Sequence, residues 1–218
     1  MIEKCMKVVV DCDFSELMKD GELNSLCTQL MYGHSENKKS ENPVKLIITG
    51  INSTKLQGRF KAHSAANWGV DMYPSLDQEN LSANTKNYID LFDKEKLVYL
   101  SADSENTLEK LEDDKIYIIG GIVDKNRHKN ICFNKAKEQG IAHAKFPIKE
   151  HVNIGDYSTV LTVNQVLWVL LAVKKHDNDW KSALEETLPK RKKSKIKGKN
   201  AKDSMKAADQ AKRHKSNH

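Results

Sequence analysis

The sequence lacks any apolar run of the roughly 20 residues that a membrane-spanning helix requires. Residues 1–4 also lack the long apolar segment that marks a signal peptide. The four cysteines, Cys5, Cys12, Cys27 and Cys132, are widely scattered and form no CxxC pair. Reduced thiols are therefore expected rather than a disulfide framework or a zinc site. These absences predict a protein of the cytoplasm, the nucleus or both, with no membrane partner and no bound metal.

Glycine-rich phosphate-binding patterns are absent as well. The glycine spacing matches neither the Rossmann fingerprint nor the Walker loop. The eight histidines show no metal-ligand spacing, and His128 and His143 are expected in loops or at the surface. The fold and the site must therefore be inferred from the pattern of strands and helices.

Charge is distributed unevenly along the 218 residues, although the net charge is only +6. Residues 190–218 hold 12 Lys and Arg against 2 Asp and Glu, a net charge of +10, which leaves about −4 for residues 1–189. The Lys-rich tail lacks aromatic residues and is expected to be disordered. Such a tail binds nucleic acid through phosphates, but it is equally explained as a solvated or localising segment.

Strand and helix patterns alternate along the chain. Short apolar runs predict strands over residues 7–11, 44–49, 68–73, 97–100, 116–119 and 141–146. Helical periodicity and capping residues predict helices over residues 23–32, 54–66, 104–111, 130–139, 163–173 and 179–187. Residues 75–87 are expected to be irregular. The alternation predicts an α/β fold with a mostly parallel sheet covered by helices.

The stretch from Ile116 to Cys132 has the most specific local pattern. A buried strand ends at Gly120-Gly121, Asp124 follows at once, and a basic cluster begins at Lys125. Proteins of the α/β class bind ligands outside the carboxyl ends of their strands, so this loop is a candidate binding site. The alternative is an ordinary turn in which Asp124 caps the next helix.

Two other connections would reach the same edge of a parallel sheet. They are the loop from Leu100 to Asp103, and Phe146 to Ile148 together with Thr159 to Thr162. With the Gly121 loop they would form a cleft that contains a carboxylate and backbone donors, unless they are ordinary connections. A second possibility is a Mg²⁺-binding cluster in a nuclease or phosphotransferase. Its candidate ligands, which capping and solvation would also explain, are Asp11, Asp13, Asp71, Asp103 and Asp124.

Four motifs in a fixed order carry a resemblance to one family. They are Val9 to Phe14, Tyr99 to Ser104, Gly120 to Lys129 and Val160 to Val166, followed by a closing segment from Asp179 to Lys192. Together they resemble the SPOUT-type tRNA methyltransferases that modify N1 of the purine at tRNA position nine, in the eukaryotic, guanine-9 form. The likeness covers residues 5–192.

The resemblance implies a fold that composition would not give. It implies a methyltransferase domain over residues 1–189, with a C-terminal trefoil knot within about residues 97–175, and a basic tail over residues 190–218. It also implies S-adenosylmethionine as the methyl donor, S-adenosylhomocysteine as the product and tRNA as the substrate. Members of this family are expected to act as monomers, so no obligatory protein partner is inferred.

Individual site residues follow from the resemblance alone. The residues expected to bind S-adenosylmethionine are Leu100, Ser101, Gly121, Lys125, Asn126, Cys132, Lys137, Ile148, Thr159, Val160, Leu161 and Thr162. The residues expected to contact tRNA are Asp11, Gln29, Lys38, Lys39, Arg127 and Lys129.

Asp124 is the expected general base. Guanine N1 carries a proton at neutral pH and attacks a methyl group only when that proton leaves, and a positioned carboxylate can accept it. Adenine N1 is unprotonated at neutral pH, so Asp124 does not decide between the purines. A dual guanine and adenine enzyme is therefore the first alternative.

Two features depart from the family pattern. Ser158-Thr159 stands where relatives can carry basic residues, so a cation contact is not expected there. Family members often have a Lys-rich segment before the first strand, and this sequence begins almost at that strand. Either the sequence is a fragment or this member lacks the segment, in which case a reduced affinity for tRNA is expected. Two further alternatives stay open. One is a metal-dependent nuclease that uses Asp11, Asp13 and Asp71, and the other is a non-catalytic RNA-binding module that works through the basic tail.

Overall fold

Strands along the chain build one sheet. The computed structural model describes residues 5–73, 86–153 and 158–188. The strands in these ranges are β1 (Lys7–Asp11), β2 (Lys45–Thr49), β3 (Asp71–Met72), β4 (Leu97–Leu100), β5 (Ile116–Gly120) and β6 (Ala142–Ala144). They form a six-stranded sheet in the order β3-β2-β1-β5-β4-β6, and every pairing in it is parallel.

Helices connect these strands and follow the last of them. Within the described ranges the α-helices are α1 (Asp20–Lys39), α2 (Thr54–Ala62), α3 (Tyr88–Leu91), α4 (Ile131–Gln139), α5 (Ile148–His151), α6 (Val163–Lys175) and α7 (Trp180–Thr187). None of the described helices is both long enough and apolar enough to cross a membrane.

The apolar side chains of the strands alternate between two cores, one on each face of the sheet. In β1, Val8 and Val10 join the larger core and Val9 joins the smaller one, as the two-residue period of a strand requires. Helices α1, α2, α6 and α7 complete the larger core, whereas Tyr88 of α3 and Ala136 of α4 close the smaller one. The predicted α/β fold with a parallel, helix-covered sheet is confirmed.

Strand order reverses beside β1, which lies between β2 and β5. The chain first builds β1, β2 and β3 in one direction, and it then places β5, β4 and β6 on the other side. Because all strands are parallel, their carboxyl ends share one edge. A reversal of this kind leaves a crevice at that edge, which is where ligands bind in open α/β sheets.

The helix predicted over residues 104–111 is wrong. The segment is irregular, with bends before Thr107, and Thr107 forms a parallel bridge with Lys145 just beyond β6. The N–H of Leu108 donates to the Lys145 carbonyl, at 2.8 Å. The Ser104 hydroxyl, read as a helix cap, instead contacts the ring of His143 at 2.9 Å. Pairing with the edge of the sheet therefore replaces local helix formation.

Helix α1 is longer than predicted, because Gly33 does not end it. A Cβ atom at Gly33 would lie 3.0 Å from Cδ2 of Leu167 on α6, so the glycine allows two helices to approach closely in mid-helix. The last turn of α1 is fixed by Asn37, whose side chain bonds both the N–H and the carbonyl of Val44. Gly33, which directly follows the predicted helix of residues 23–32, is therefore a packing position within α1.

The strand predicted over residues 68–73 is much shorter than expected. Asp71–Met72 pairs with β2, the N–H of Tyr73 donates to the Ile48 carbonyl, and a short 3₁₀ turn occupies Ala65–Trp68. Gly69 separates them with a left-handed φ of 67°, a conformation that suits glycine. The expectations for residues 75–85 and for the tail fall outside the described residues. The trefoil knot stays a prediction, since residues 154–157 within its span are also outside them.

Candidate functional site

A cavity of about 290 Å³ opens at the carboxyl ends of β4, β5 and β6. The loops after these strands and the segment that precedes α6 meet here, as the sequence predicted. Eight of the twelve predicted cofactor residues line the cavity, and Asp124 lines it with them. The eight are Leu100, Ser101, Asn126, Cys132, Ile148, Thr159, Val160 and Leu161.

Gly121, which was expected to bind the cofactor, does not line the cavity. Its N–H donates to the carbonyl of Asp11 at 2.7 Å, and an added Cβ would lie 2.8 Å from that oxygen. Gly121 is therefore needed for close packing against the end of β1. The cavity wall is formed by Gly120 instead, where a Cβ would overlap the sulfur of Cys132.

Three other predicted cofactor residues point elsewhere. Lys137 lies over the ring of Phe133, with its ammonium 5.1 Å from the ring centre. Thr162 is the N-cap residue of α6, and its hydroxyl donates to the Asn164 side chain at 2.7 Å. Lys125 is exposed and has a left-handed φ of 53°. Each of these residues shapes the surroundings of the cavity without lining it.

Several cavity residues were not among those predicted to bind the cofactor, although Asp103 and Phe146 belong to the loops that were expected to form the cleft. The apolar wall includes Ile119, Ile122, Ile131, Phe146, Val163 and Val166. The polar residues include Asp103, His128, Lys145, Lys149 and Glu150. Strand alternation could have indicated Ile119, because it precedes the glycine pair on the face of the larger core. The contributions of α5 and of the start of α6 depend on tertiary structure, which no local pattern signals.

Asp124 is held firmly although its loop is irregular. Its side chain is only 8% exposed. One carboxylate oxygen accepts the N–H of Asn126 at 2.8 Å, and the other accepts the N–H of His128 at 2.7 Å. Asp124 does not cap the following helix, whose N-cap is Asn130. It fixes its own loop, so the carboxylate has a defined position at the wall of the cavity.

Cys132 contributes a neutral group to the same wall. Burial raises the pKa of its thiol to about 12, and the nearby Asp11 carboxylate acts in the same direction. The side chain therefore stays a thiol at neutral pH. It adds soft, apolar surface rather than negative charge.

Asp11, predicted to contact tRNA, is completely buried. Its carboxylate accepts the Tyr99 hydroxyl at 2.8 Å and pairs with Lys135 at 2.7 Å. Burial raises the pKa of Asp11, and the Lys135 ammonium opposes that rise. Burial alone would lower the pKa of Lys135, but Asp11 and Asp13 more than offset it, so the lysine stays charged. Its carboxylate lies inside the protein in this structure, and a contact between Asp11 and tRNA stays a prediction.

Gln29 also has a structural role that the resemblance did not indicate. Its side-chain oxygen accepts the N–H of Val163 at 3.0 Å, at the start of α6. Its amide group donates to Ser25 on the same helix at 3.2 Å. Gln29 therefore caps the helix that forms one wall of the cavity, and it is half-buried there.

The predicted basic contacts do not form one group. Lys38 and Lys39 are exposed at the end of α1, close to the start of β2 and thus at the edge of the sheet opposite the cavity. Lys129 is exposed on the Asp124 loop. Arg127, on the same loop, pairs with Glu22 at the start of α1. Only Lys129 and Arg127 lie beside the candidate site.

The carboxylates of the nuclease alternative each have a lysine partner. Asp11 and Asp13 share Lys135, at 2.7 and 3.1 Å. Asp71 pairs with Lys45 at 2.8 Å on the outer part of the sheet. Over residues 5–73, 86–153 and 158–188, no group of three His, Cys, Asp or Glu side chains is arranged to hold a metal ion. These contacts do not favour a Mg²⁺ cluster.

Known proteins resemble this chain over most of its length. A curated tRNA (guanine(9)-N1)-methyltransferase of Schizosaccharomyces pombe is 45% identical over 197 residues, which cover 88% of this chain. The match spans about 60% of the length of that relative.

Solved structures agree with the sequence matches. The crystal structure of spTrm10(74) is 44% identical, with a TM-score of 0.73 over 84% of this chain and 94% of that one. The full-length spTrm10 complex with SAH has a TM-score of 0.70 at the same identity, over 84% of this chain and 95% of that one.

A family model extends the likeness to nearly the whole described chain. The model for tRNA (guanine(9)-N(1))-methyltransferase TRM10/TRM10A matches residues 1–193. The match therefore includes all of the described strands and helices, together with the cavity and Asp124. The chain belongs to the tRNA (guanine(9)-N(1))-methyltransferase TRM10/TRM10A family.

Proposed function

We propose that this protein transfers a methyl group from S-adenosylmethionine to N1 of guanine at position 9 of tRNA. The observation that carries the proposal is the position of Asp124, a firmly held carboxylate that lines the cavity where cofactor residues were expected. Family membership and the SAH complex of a relative support the same function.

The lining of the cavity suits S-adenosylmethionine, in which a nucleoside is joined to a charged amino-acid chain. Its walls include Leu100, Ile119, Ile148 and Leu161, which offer apolar surface to a flat base. Ser101 lies among them and provides a hydroxyl for the polar part of such a ligand. We assign these residues to binding of S-adenosylmethionine, which supplies an activated methyl group on a sulfonium centre.

Asp124 takes the proton in this proposal. The bond between guanine N1 and the methyl carbon forms while the carbon–sulfur bond breaks, and the N1 proton passes to the Asp124 carboxylate. The N–H groups of Asn126 and His128 keep that carboxylate in one orientation, so no reorganisation is required at the moment of transfer. Alignment of the reacting atoms by the cavity walls contributes to the rate as well.

Recognition of tRNA is expected to depend on shape and phosphates, since position 9 lies in the folded core of the molecule. Lys129 is exposed next to the Asp124 loop and is the best-placed predicted phosphate contact. We propose that the protein acts as a monomer on tRNA. A dual enzyme that also methylates adenine stays the alternative, because the same cavity would serve N1 of either purine.

Methyl transfer from labelled S-adenosylmethionine to unmodified tRNA transcripts tests the proposal. The transcripts carry G, A or U at position 9 and are otherwise identical. Label on the G9 transcript alone is the expected result, and label on both G9 and A9 would establish dual specificity. Absence of label on all three, with calorimetry showing no binding of S-adenosylhomocysteine, would overturn the proposed function.

A further inference from the structure

Arg127 lies on the loop that carries Asp124, yet its side chain points away from the cavity. One guanidinium nitrogen is 2.5 Å from a carboxylate oxygen of Glu22, and a second donates to the other oxygen at 3.0 Å. The second nitrogen also donates to the backbone carbonyl of Leu17, at 3.1 Å. Arg127 thus makes a two-pronged contact with the segment that leads into α1.

Glu22 is itself anchored to the body of the protein. Its carboxylate accepts the backbone N–H of Lys19 at 2.9 Å, in the capping box of α1. Its side chain is 14% exposed, against 38% for Arg127. The hydrogen bond from Arg127, followed by the one from Lys19, lowers the pKa of Glu22 to about 2. The acceptor is therefore charged and fixed across the neutral pH range.

The Asp124 loop depends on a few specific contacts. Its backbone passes through left-handed conformations at Lys125 and Asn126, with φ of 53° and 60°. The two N–H groups that hold Asp124 belong to Asn126 and His128, the neighbours of Arg127 on either side. By fixing the position of Arg127, the Glu22 side chain therefore also fixes the two N–H groups that donate to Asp124.

We propose that Glu22 and Arg127 form a positioning pair for Asp124, and that Arg127 serves this contact rather than binding a tRNA phosphate. The inference rests on the proposed function, since it assigns these residues a part in the same reaction. Neither residue lines the cavity. Both act through the backbone of the loop, so they are positioning residues and not catalytic ones.

The geometry favours this role over a phosphate contact. A guanidinium fork matches one planar partner with two parallel bonds, and here both prongs are taken by Glu22. Binding a phosphate would require that pair to break and would bring the Glu22 carboxylate close to the polyanion. A fixed acidic partner therefore makes Arg127 a poor phosphate contact.

Glu22→Gln separates the two roles, because they predict opposite effects. Loss of a positioning pair lowers kcat for the G9 transcript, by about tenfold or more. KM for tRNA and Kd for S-adenosylhomocysteine should stay within about twofold of the wild-type values. If Arg127 instead binds phosphate, Glu22→Gln frees it, so KM for tRNA falls and kcat is retained. That second outcome would overturn the inference.

Arg127→Met and the double variant Glu22→Gln/Arg127→Met complete a double-mutant cycle. A positioning pair predicts that the double variant is no slower than either single variant, because each substitution already removes the shared contact. A phosphate contact predicts that Arg127→Met raises KM for tRNA and makes binding less salt-dependent. Glu186→Gln is the matched control. Glu186, on α7, likewise accepts two contacts from one cation, Lys175, but it does not contact the Asp124 loop.

Hydrogen exchange gives a readout that does not need turnover. In Glu22→Gln, the amides of Asn126 and His128 should exchange faster than in the wild type, while amides of β1 and β5 keep their protection. Unchanged exchange at those two amides would contradict the inference even if methyl transfer slowed. If the wild-type protein transferred no methyl group, the proposed function would fail, and the exchange result would still decide whether the pair holds the loop.

Discussion

At the scale of single residues, several positions are fixed by backbone geometry more than by side-chain chemistry. Asp124 is held by two N–H groups of its own loop. Gly120 and Gly121, adjacent in sequence, have different roles: one lines the cavity and the other packs against β1. The sequence motif located both glycines, but it could not assign these roles, because Asp11 and Cys132 reach them only in the folded chain.

The close contact at Gly121 makes a stability prediction. In Gly121→Ala, the new Cβ would lie 2.8 Å from the Asp11 carbonyl oxygen and 2.9 Å from the Cys12 sulfur, so β1 and β5 must move apart. We expect a loss of about 1–3 kcal/mol in the free energy of unfolding, as overpacked sites show. Urea unfolding followed by circular dichroism measures it.

Gly58→Ala is the matched control for this change. Gly58 lies within α2, and nothing lies within 4 Å of the position of its added Cβ. Alanine is favoured over glycine in a helix, so this variant should be more stable than the wild type by about 0.5–1 kcal/mol. Equal stability of the Gly121 and Gly58 variants would refute the packing role of Gly121.

At the scale of elements, local patterns predicted most strands and failed where an edge pairing or a close helix contact intervened. The apolar runs of β1, β4 and β5 were placed within a residue or two, because these buried strands are bounded by polar or glycine residues. Residues 104–111 carry capping residues, but Thr107 in this segment pairs with Lys145, directly after β6. Such pairing is determined by segments far apart in sequence.

The buried pair of Asp11 and Lys135 links β1 to α4, and its loss should be costly. Lys135→Met leaves the Asp11 carboxylate buried without its counter-charge. We expect the free energy of unfolding to fall by about 3–5 kcal/mol at neutral pH. Thermal and urea unfolding check this value, with Lys174→Met as a control at a lysine that donates only to a backbone carbonyl.

The same variant should show a defined pH dependence. The groups that face Asp11 are Lys135, the Tyr99 hydroxyl and the more distant Tyr88 and Cys132. Burial raises the pKa of Asp11, and without Lys135 only the hydrogen bonds from the Tyr99 hydroxyl and the Asp13 N–H oppose that rise. In the folded variant Asp11 then binds a proton more readily than in the unfolded chain. The contribution of Asp11 to stability is therefore fully present at low pH and is lost as pH rises through the raised pKa. The account would be contradicted if Lys135→Met lost more free energy of unfolding, relative to the wild type, at pH 5 than at pH 7.

At the scale of the whole molecule, the cavity depends on topology. Strands β4, β5 and β6 are neighbours although long segments separate them in sequence, and their loops meet the chain just before α6. Eight residues that the resemblance assigns to cofactor binding line the cavity, and Asp124 lines it with them. The sequence did not predict Ile131 in the apolar wall, since its position depends on how α4 packs against the sheet.

Charge divides the molecule into a slightly acidic body and a basic tail. Removal of residues 190–218 should weaken tRNA binding by about tenfold or more at low salt and reduce its salt dependence, because phosphate contacts release counterions. Affinity for S-adenosylhomocysteine should be unchanged, since the cavity is lined by residues between Leu100 and Val166. Calorimetry and filter binding at two salt concentrations measure both. If the full chain and the chain without residues 190–218 bound tRNA equally well, the tail would have no role in substrate recognition.

The central claim is that Asp124 accepts the guanine N1 proton during methyl transfer. The most direct test is single-turnover methylation of the G9 transcript by Asp124→Asn, with Asp71→Asn as the control at a carboxylate paired with Lys45. The account predicts a rate lowered by about 10²- to 10⁴-fold in Asp124→Asn, with binding of S-adenosylhomocysteine retained. A near-normal rate in Asp124→Asn would contradict the role of this carboxylate as the base.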